Sequence, residues 1–353
     1  MKLIIPTIVD DDILVSTTVD ETIATEWSGA STYADGDFVY VADGTQRDVY
    51  ESLQGSNLNK DPETETDWWR FRSITYDEYN AGTTYADGDI VIDATNHLRY
   101  ESLQAANTGN ALTEVTWWLE IGSTEPWKVF DAKVGSQTER VGSMYFELEP
   151  GLAEGVTLLN VDAESVQIVI TDPTDGEVYN ETIDLISTEN VFDGYSYCFA
   201  PFITTDTVAK TDFPPYGSAT LEITLTAGSD TETVKCGEIV VGAVREFGDS
   251  AQYGASFEII DYSRKTTDDF GNYSVTERAF SKRVPIEVYI LNDHLRFLKK
   301  TLEDYRATPV VCIPTEVENL LGSLIVYGYY KRAQTVVKYP NYSLLTIEWE
   351  GLT

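Results

Sequence analysis

Two imperfect copies of one unit stand near the start of this 353-residue chain, and any fold must accommodate both. The first runs from Trp27 to Arg72 and contains STYADGDFVYVADG, VYESLQ and DWWRF. The second runs from Tyr79 to Gly122 and contains TTYADGDIVIDATN, RYESLQ and TWWLEIG. Tyr33, Asp35, Gly36 and Asp37 recur as Tyr85, Asp87, Gly88 and Asp89, an offset of 52. Tyr50 to Gln54 recurs at offset 50 as Tyr100 to Gln104, and Trp68-Trp69 at offset 49 as Trp117-Trp118. The offset shrinks only across the loops between these blocks, as it does when two copies of one folded unit diverge.

Within each copy the pattern reads as three or so short strands. Asp35-Gly36 and Asp87-Gly88 supply the positive φ of a tight turn, and Phe38, Tyr40 and their counterparts Ile90, Ile92 alternate as half-buried strand residues do. A unit of about 45 residues has little core, so its few large aromatics carry most of the burial. On an extended segment successive side chains point to opposite faces, so one ring of each Trp pair enters the core and the other faces outward. Trp69 and Trp118 are the expected core rings; Trp68 and Trp117 are the expected exposed ones. An indole held in water invites a flat, partly apolar partner such as the C–H face of a sugar, and two such sites on one chain gain avidity. The competing reading buries both rings in the unit or against its neighbour.

The remaining chain is also dominated by strand patterns. Residues 1–24 hold two short apolar runs broken by Asp10 to Asp12 and are expected to add strands to another domain or to tether the repeats. The acidic triplet reads as a solvated turn ahead of a cation site. GSTEPW (Gly122 to Trp127) reads as a linker closing the second repeat. From Lys128 to about Asp249, evenly spaced candidates such as MYFELE, SVQIVIT, YSYCFAPF, ATLEITLTA and KCGEIVVG, punctuated by turn dipeptides, indicate an antiparallel β-sandwich. After Gly254, SVTERAF, VPIEVYI, PVVCIP, SLIVYGYYKRAQTVVKY and YSLLTIEWEGL read as strands. DHLRFLKKTLEDYR reads as one helix, with Asn292 as N-cap and Leu295, Leu298 and Leu302 on one face. The expected organisation is mainly β. It comprises a segment 1–24, small three-stranded modules at 25–73 and 74–123, a β-sandwich at 124–250 and an α+β sheet domain with one helix at 251–353.

Charge divides the chain. Twenty-four Lys/Arg stand against 59 Asp/Glu, a net −35. Residues 1–250 hold 12 basic against 46 acidic side chains, and residues 251–353 hold 12 against 13. So acidic a surface repels phosphate backbones and anionic lipid, which argues against nucleic-acid binding and membrane docking. The balanced C-terminal part can pack against neighbours without stacking like charges. No apolar run reaches spanning length. MKLIIPTIV runs straight into three aspartates, unlike a signal peptide, and Cys198, Cys236 and Cys312 form no paired motif. A soluble protein made in the cytoplasm with buried free thiols is expected.

Chemistry is sparse. His97 lies in a loop of the second copy with no counterpart in the first, and His294 opens the expected helix, where a solvated role fits best. G-x-S-x-G, H-E-x-x-H and P-loop motifs are absent, and Asp269-Phe270-Gly271 lacks the rest of a kinase signature. Paired carboxylates of the glycosidase kind cannot be picked out among so many acids. No catalytic residue, metal ligand or cofactor is assigned, and the chain is expected not to be an enzyme.

The pattern of aromatic, Tyr-x-x-Gly-Asp-x-Val, a Tyr-containing strand and a closing Trp resembles the small chitin- and cellulose-binding modules of bacterial glycoside hydrolases. It falls on Trp27, Tyr33, Gly36, Asp37, Val39, Tyr50 and Trp69, and again on Tyr79, Tyr85, Gly88, Asp89, Val91, Tyr100 and Trp118. The whole chain further resembles tailed-bacteriophage virion proteins through ESLQAANTG, TWWLEIGSTEPWKVFDAKVGS, VKCGEIVVG, FEIIDYS, DDFGNYSV and LTIEWEGL. This resemblance implies a structural tail-tip or baseplate protein, oligomeric with the tail's symmetry and in contact with other tail proteins. Its modules would bind host polysaccharide, lipopolysaccharide or capsule, through Trp68, Trp117, Trp27, Tyr79, Tyr33 and Tyr85. The alternatives are a polysaccharide-degrading enzyme carrying binding modules and a tail spacer with no glycan ligand.

Overall fold

The computed structural model describes residues 1–187, 192–199, 203–267, 270–315 and 323–352. The chain is mainly β, built from antiparallel sheets. Each repeat is a three-stranded sheet with the Tyr-Glu-Ser strand in the middle. Gln46–Ser52 lies between Phe38–Asp43 and Trp69–Tyr76, and Leu98–Ser102 lies between Ile90–Asp93 and Trp118–Ser123. A two-residue ladder completes each, Thr32–Tyr33 with Asn57–Leu58 and Thr84–Tyr85 with Asn107–Thr108. The expected alternation is shifted by one residue. Val39 and Val91 enter the module cores, while Tyr40 and Ile92 are buried on the opposite face. Phe38 remains 36% exposed.

The β-sandwich forms as its alternation indicates. Its outer sheet runs Gly176–Asp184, Ser165–Asp172, Thr220–Thr226, Ser143–Leu148, Leu14–Thr17. Every second residue of Ser165–Asp172 points inward, so Val166, Ile168 and Ile170 meet Phe146, Leu221 and Ile223 in one core with Leu158 and Val241 of the facing sheet. That facing sheet has nine strands, in the order Thr207–Lys210, Gly155–Leu159, Glu238–Glu246, Lys2–Pro6, Val310–Ile313, Val326–Val337, Tyr342–Gly351, Phe280–Leu291, Glu258–Asp261. The boundary expected at residue 250 therefore falls inside one continuous hydrogen-bonded sheet. Lys2–Pro6 joins the two parts by pairing with Glu238–Glu246 on one side and Val310–Ile313 on the other. Its approach to Gly242 is so close that a Cβ there would lie 1.8 Å from the Ile5 carbonyl oxygen. Segment 1–24 thus supplies a strand to each sheet, Leu14–Thr17 being the second.

The helix Leu295–Asp304 covers the C-terminal part of this sheet. Leu298 is buried and Leu295 and Leu302 pack beside it on Val288, Leu345, Ile347 and Trp349. Asn292 is not its N-cap: the residue begins a 3-10 turn, and its side chain instead donates to the Tyr339 and Pro340 carbonyls and accepts from Ser343. YSYCFAPF is not a strand either. Gly194–Phe199 is a short helix because Asp193 accepts the Ser196 N–H at 2.7 Å, an N-cap that outweighs the aromatic content; residues 200–202 lie outside the described residues. GSTEPW is no free linker, since Glu125–Phe130 winds into a 3-10 helix docked through Thr138 Oγ1, which donates to the Glu125 carbonyl. Of the cysteines, Cys236 and Cys312 are buried free thiols, with burial pushing both thiols up, whereas Cys198 is exposed.

Candidate glycan-binding modules

The recurring residues of the two copies build the same framework in both. Gly36 and Gly88 adopt φ of 84° and 88°, conformations that strain any residue with a Cβ. Their N–H groups donate to the Ser52 and Ser102 carbonyls at 2.8 Å, so the turn is fastened to the middle strand. Asp37 and Asp89 accept the Ala34 and Ala86 N–H groups at 2.6 and 2.7 Å, closing the Tyr-Ala-Asp-Gly-Asp loop on itself. The ESLQ block performs the next step. Ser52 and Ser102 hydroxyls donate to the Gln54 and Gln104 carbonyls, and accept from buried Asn57 and Asn107 at 3.0 Å. Gln54 and Gln104 reach across to the carbonyls of Asp67 and Thr116, the residues just before each Trp pair. Leu53 and Leu103 N–H groups donate to the Trp68 and Trp117 carbonyls at 2.9 Å. A single network therefore holds the backbone that carries the paired indoles.

Trp69 and Trp118 are both 2% exposed. Their indole N–H groups donate to the Lys60 and Asn110 carbonyls, at 2.9 and 3.0 Å. Tyr33 and Tyr85 stand edge-on to these rings at 5.2 and 5.3 Å. Trp69 and Trp118 are thus sealed as expected, but Trp68 and Trp117 are not turned outward by strand alternation: each stands in the turn before its strand, half-buried and packed against the same core. Trp27 and Tyr79 occupy the equivalent half-buried place opposite. Tyr33 and Tyr85 are 7% and 2% exposed, and their hydroxyls accept the Ser28 and Asn80 N–H groups. These two tyrosines are core posts and leave the set of ligand-facing residues, because their ring faces are covered by the module itself. The remaining candidates are Trp27 and Trp68 in the first module, and Tyr79 and Trp117 in the second. Lys60 Nζ lies 5.3 Å from the Trp68 ring centre, a cation that module two lacks. Sequence reasoning missed Asn57 and Asn107; their common offset from the ESLQ serines was the available signal.

Beyond the paired indoles the structure offers less. His97 stacks on Trp127 at 4.0 Å, with Nδ1 3.0 Å from Glu21 and Nε2 3.0 Å from Asp11, so it fastens the second module to the N-terminal segment. His294 is exposed. Asp10 closes a turn by accepting the Asp12 and Ile13 N–H groups. Among the described residues no cluster of three or more His, Cys, Asp or Glu has metal-binding geometry. Asp269 of the Asp-Phe-Gly triplet lies outside them. A cleft of about 550 Å³ opens between the two ends of the nine-stranded sheet, lined by Asp206, Phe280, Lys282 and Tyr327. Burial lowers the Lys282 ammonium there to about 8, and nearby Glu238, buried against Asp131, is raised to about 9. No protein-family model and no curated protein matches the chain.

Proposed function

We propose that this chain is a structural, non-enzymatic component of a bacteriophage tail, in its tip or baseplate, whose tandem modules bind host surface polysaccharide during adsorption. One observation carries the binding part of the reading. In both modules the ring after the turn is sealed and bonded inside, while its neighbour, Trp68 or Trp117, is left part-exposed on a backbone held by the same network. A half-exposed indole on a rigid support loses little entropy when a sugar ring lies on it. Two such supports on one chain, multiplied by tail copy number, turn weak single contacts into firm but reversible adhesion. The tail assignment is supported by the resemblance of the sequence motifs, and by a near-neutral C-terminal part suited to packing in a repeated assembly.

The test is retention of the full chain on immobilised host lipopolysaccharide, capsule polysaccharide and chitin. Trp68→Ala and Trp117→Ala are each expected to weaken retention, and together to abolish it, with the unfolding midpoint close to that of the parent. Full retention by the folded double variant removes the glycan reading. A tail spacer without ligand is favoured by a specific observation: the recurring pairs Asp37 and Asp89, Ser52 and Ser102, Gln54 and Gln104, and Asn57 and Asn107 all have bonding roles inside their own modules. Release of new reducing ends from any of these polysaccharides would instead establish the enzyme alternative.

A further inference from the structure

A bulge in the first module buries a polar pair where the second module carries Ile121 and Gly122. Val49 pairs with Ser73 and Tyr50 with Phe71, so Arg72 is an extra residue on Trp69–Tyr76. Such a bulge re-aims the side chains beside it, and Arg72 and Ser73 are both buried. The strand Thr138–Val141 packs against Trp69–Tyr76, and its alternation buries Thr138 and Arg140 while Glu139 stays outside. A cleft of about 250 Å³ lies between these strands, with Ser73 on one wall and Arg140 on the other.

Five charged side chains line this cleft, and four of them are paired. Arg72 meets Glu51 and Asp230, Lys128 meets Glu125, and Glu139 meets Lys235. Arg140 is the fifth. It is 5% exposed, and its Nη1 donates to the Ser143 carbonyl. Among the described residues no carboxylate oxygen lies within 4 Å of it, and its buried Nε has no acceptor. Ser73, 4% exposed, likewise has a buried hydroxyl without a partner. Burial and the like charge of Arg72 lower the Arg140 guanidinium, with Glu51 and Asp20 acting against them from farther off. A guanidinium withdrawn from water without a bonded counter-charge is costly, so the local balance calls for an anion.

The bonded Nη1 leaves the Nε–Nη2 edge of Arg140, where two parallel N–H groups form a fork matching the two oxygens of a carboxylate. One uncompensated positive charge also calls for a single negative one. Inorganic sulfate or phosphate would bring a second charge into a cleft already lined by Glu125 and Glu139. We propose that this cleft binds a carboxylate monoanion, held by the Nε–Nη2 edge of Arg140 and by the Ser73 hydroxyl. A small free acid and the carboxylate of an acidic sugar present the same group. The inference stands independently of whether Trp68 and Trp117 bind glycan.

Isothermal titration calorimetry of the full chain with sodium acetate and sodium glucuronate tests it, with chloride balancing the ionic strength and sodium sulfate as the comparator. Saturable binding is expected, together with added exchange protection at residues 71–76 and 138–141. Glucuronate no tighter than acetate assigns the cleft to small free acids, and tighter glucuronate assigns it to an acidic sugar. Arg140→Lys keeps the charge and loses the fork, and should weaken binding at least about tenfold. Ser73→Ala removes one hydroxyl and should weaken it about threefold. This smaller change decides the matter if the arginine variant does not fold, and unchanged far-ultraviolet circular dichroism would show which variants do. Binding of neither acid, sulfate held more tightly than both, or folded variants that bind as the parent does would each overturn the proposal.

Discussion

The first and second modules share their interiors and differ in almost everything that touches the rest of the molecule. Inside, glycine turn, aspartate clasp, serine-asparagine pair and sealed indole correspond bond for bond. Outside, the first is tied down by arginines. Arg72 pairs with Glu51 at 2.6 Å and with Asp230 at 2.8 Å, and donates to the Val141 carbonyl, while Arg70 also meets Asp230. The second uses His97 with Glu21 and Asp11, stacking of His97 on Trp127, and Arg99 with Glu125. The lesson is a division of labour: repeated residues specify the unit, and unrepeated residues specify where each unit sits.

If that division is right, the largest effects come from the shared interior and are equal in the two modules. Trp69→Ala and Trp118→Ala each remove a sealed indole with its hydrogen bond, and each should cost about 3 to 5 kcal/mol locally. Hydrogen exchange should show only the altered module losing protection. Loss of protection in both would mean that the two fold as one body. Smaller and unequal effects are expected at the anchors. Arg72→Ala strips Glu51 and Asp230 of a shared partner whose side chain is 8% exposed, and should weaken the seat of the first module by about 2 to 3 kcal/mol. Asp230 is itself 57% exposed, which keeps the cost below that of a sealed pair. His97→Ala loses one ring stack and two carboxylate contacts, and should loosen only the second module, by about 1 to 2 kcal/mol. The readout is protease nicking at residues 24–26 against 122–124, and equal nicking at both sites in either variant would erase the distinction.

The same division explains what the sequence made legible. The units and their three strands follow from repetition and strand alternation, which are local properties. So do the sandwich strands and the leucine face of the helix. Trp69 and Trp118 are sealed as expected, but their neighbours Trp68 and Trp117 stand in turns, where strand alternation does not apply. What could not be read is long-range pairing. Nothing in MKLIIP announces that it lies between Glu238–Glu246 and Val310–Ile313, so the sheet shared across residue 250 was read as two domains. Short-range polar competition was the other blind spot: Asp193 turned a strand-like aromatic run into a helix, and Asn292 was drawn from the cap position to the 339–343 segment. At the site, Tyr33 and Tyr85 looked like ligand rings because aromaticity alone does not tell a post from a platform. Their hydroxyl bonds to Ser28 and Asn80 do.

The smallest expected effect is also the finest probe of how alike the two interiors are. Tyr79 donates its hydroxyl to the Asn110 carbonyl at 2.7 Å, and the same oxygen accepts the Trp118 indole N–H. In the first module Lys60 takes the place of Asn110 and accepts from Trp69, but Trp27 replaces Tyr79 and its buried indole nitrogen has no acceptor. Tyr79→Phe should therefore cost about 1 kcal/mol, one hydrogen bond with the ring retained. Trp27→Tyr gives up apolar contact yet brings a hydroxyl to the oxygen that its counterpart uses, whereas Trp27→Phe gives up contact and gains nothing. Trp27→Tyr should then be the more stable of the two by about 1 kcal/mol, measured by urea unfolding with exchange protection of the first module as the local probe. Equal stability of these two variants would show that the Lys60 carbonyl is not placed as the Asn110 carbonyl is. The correspondence between the modules would then end at their sealed indoles.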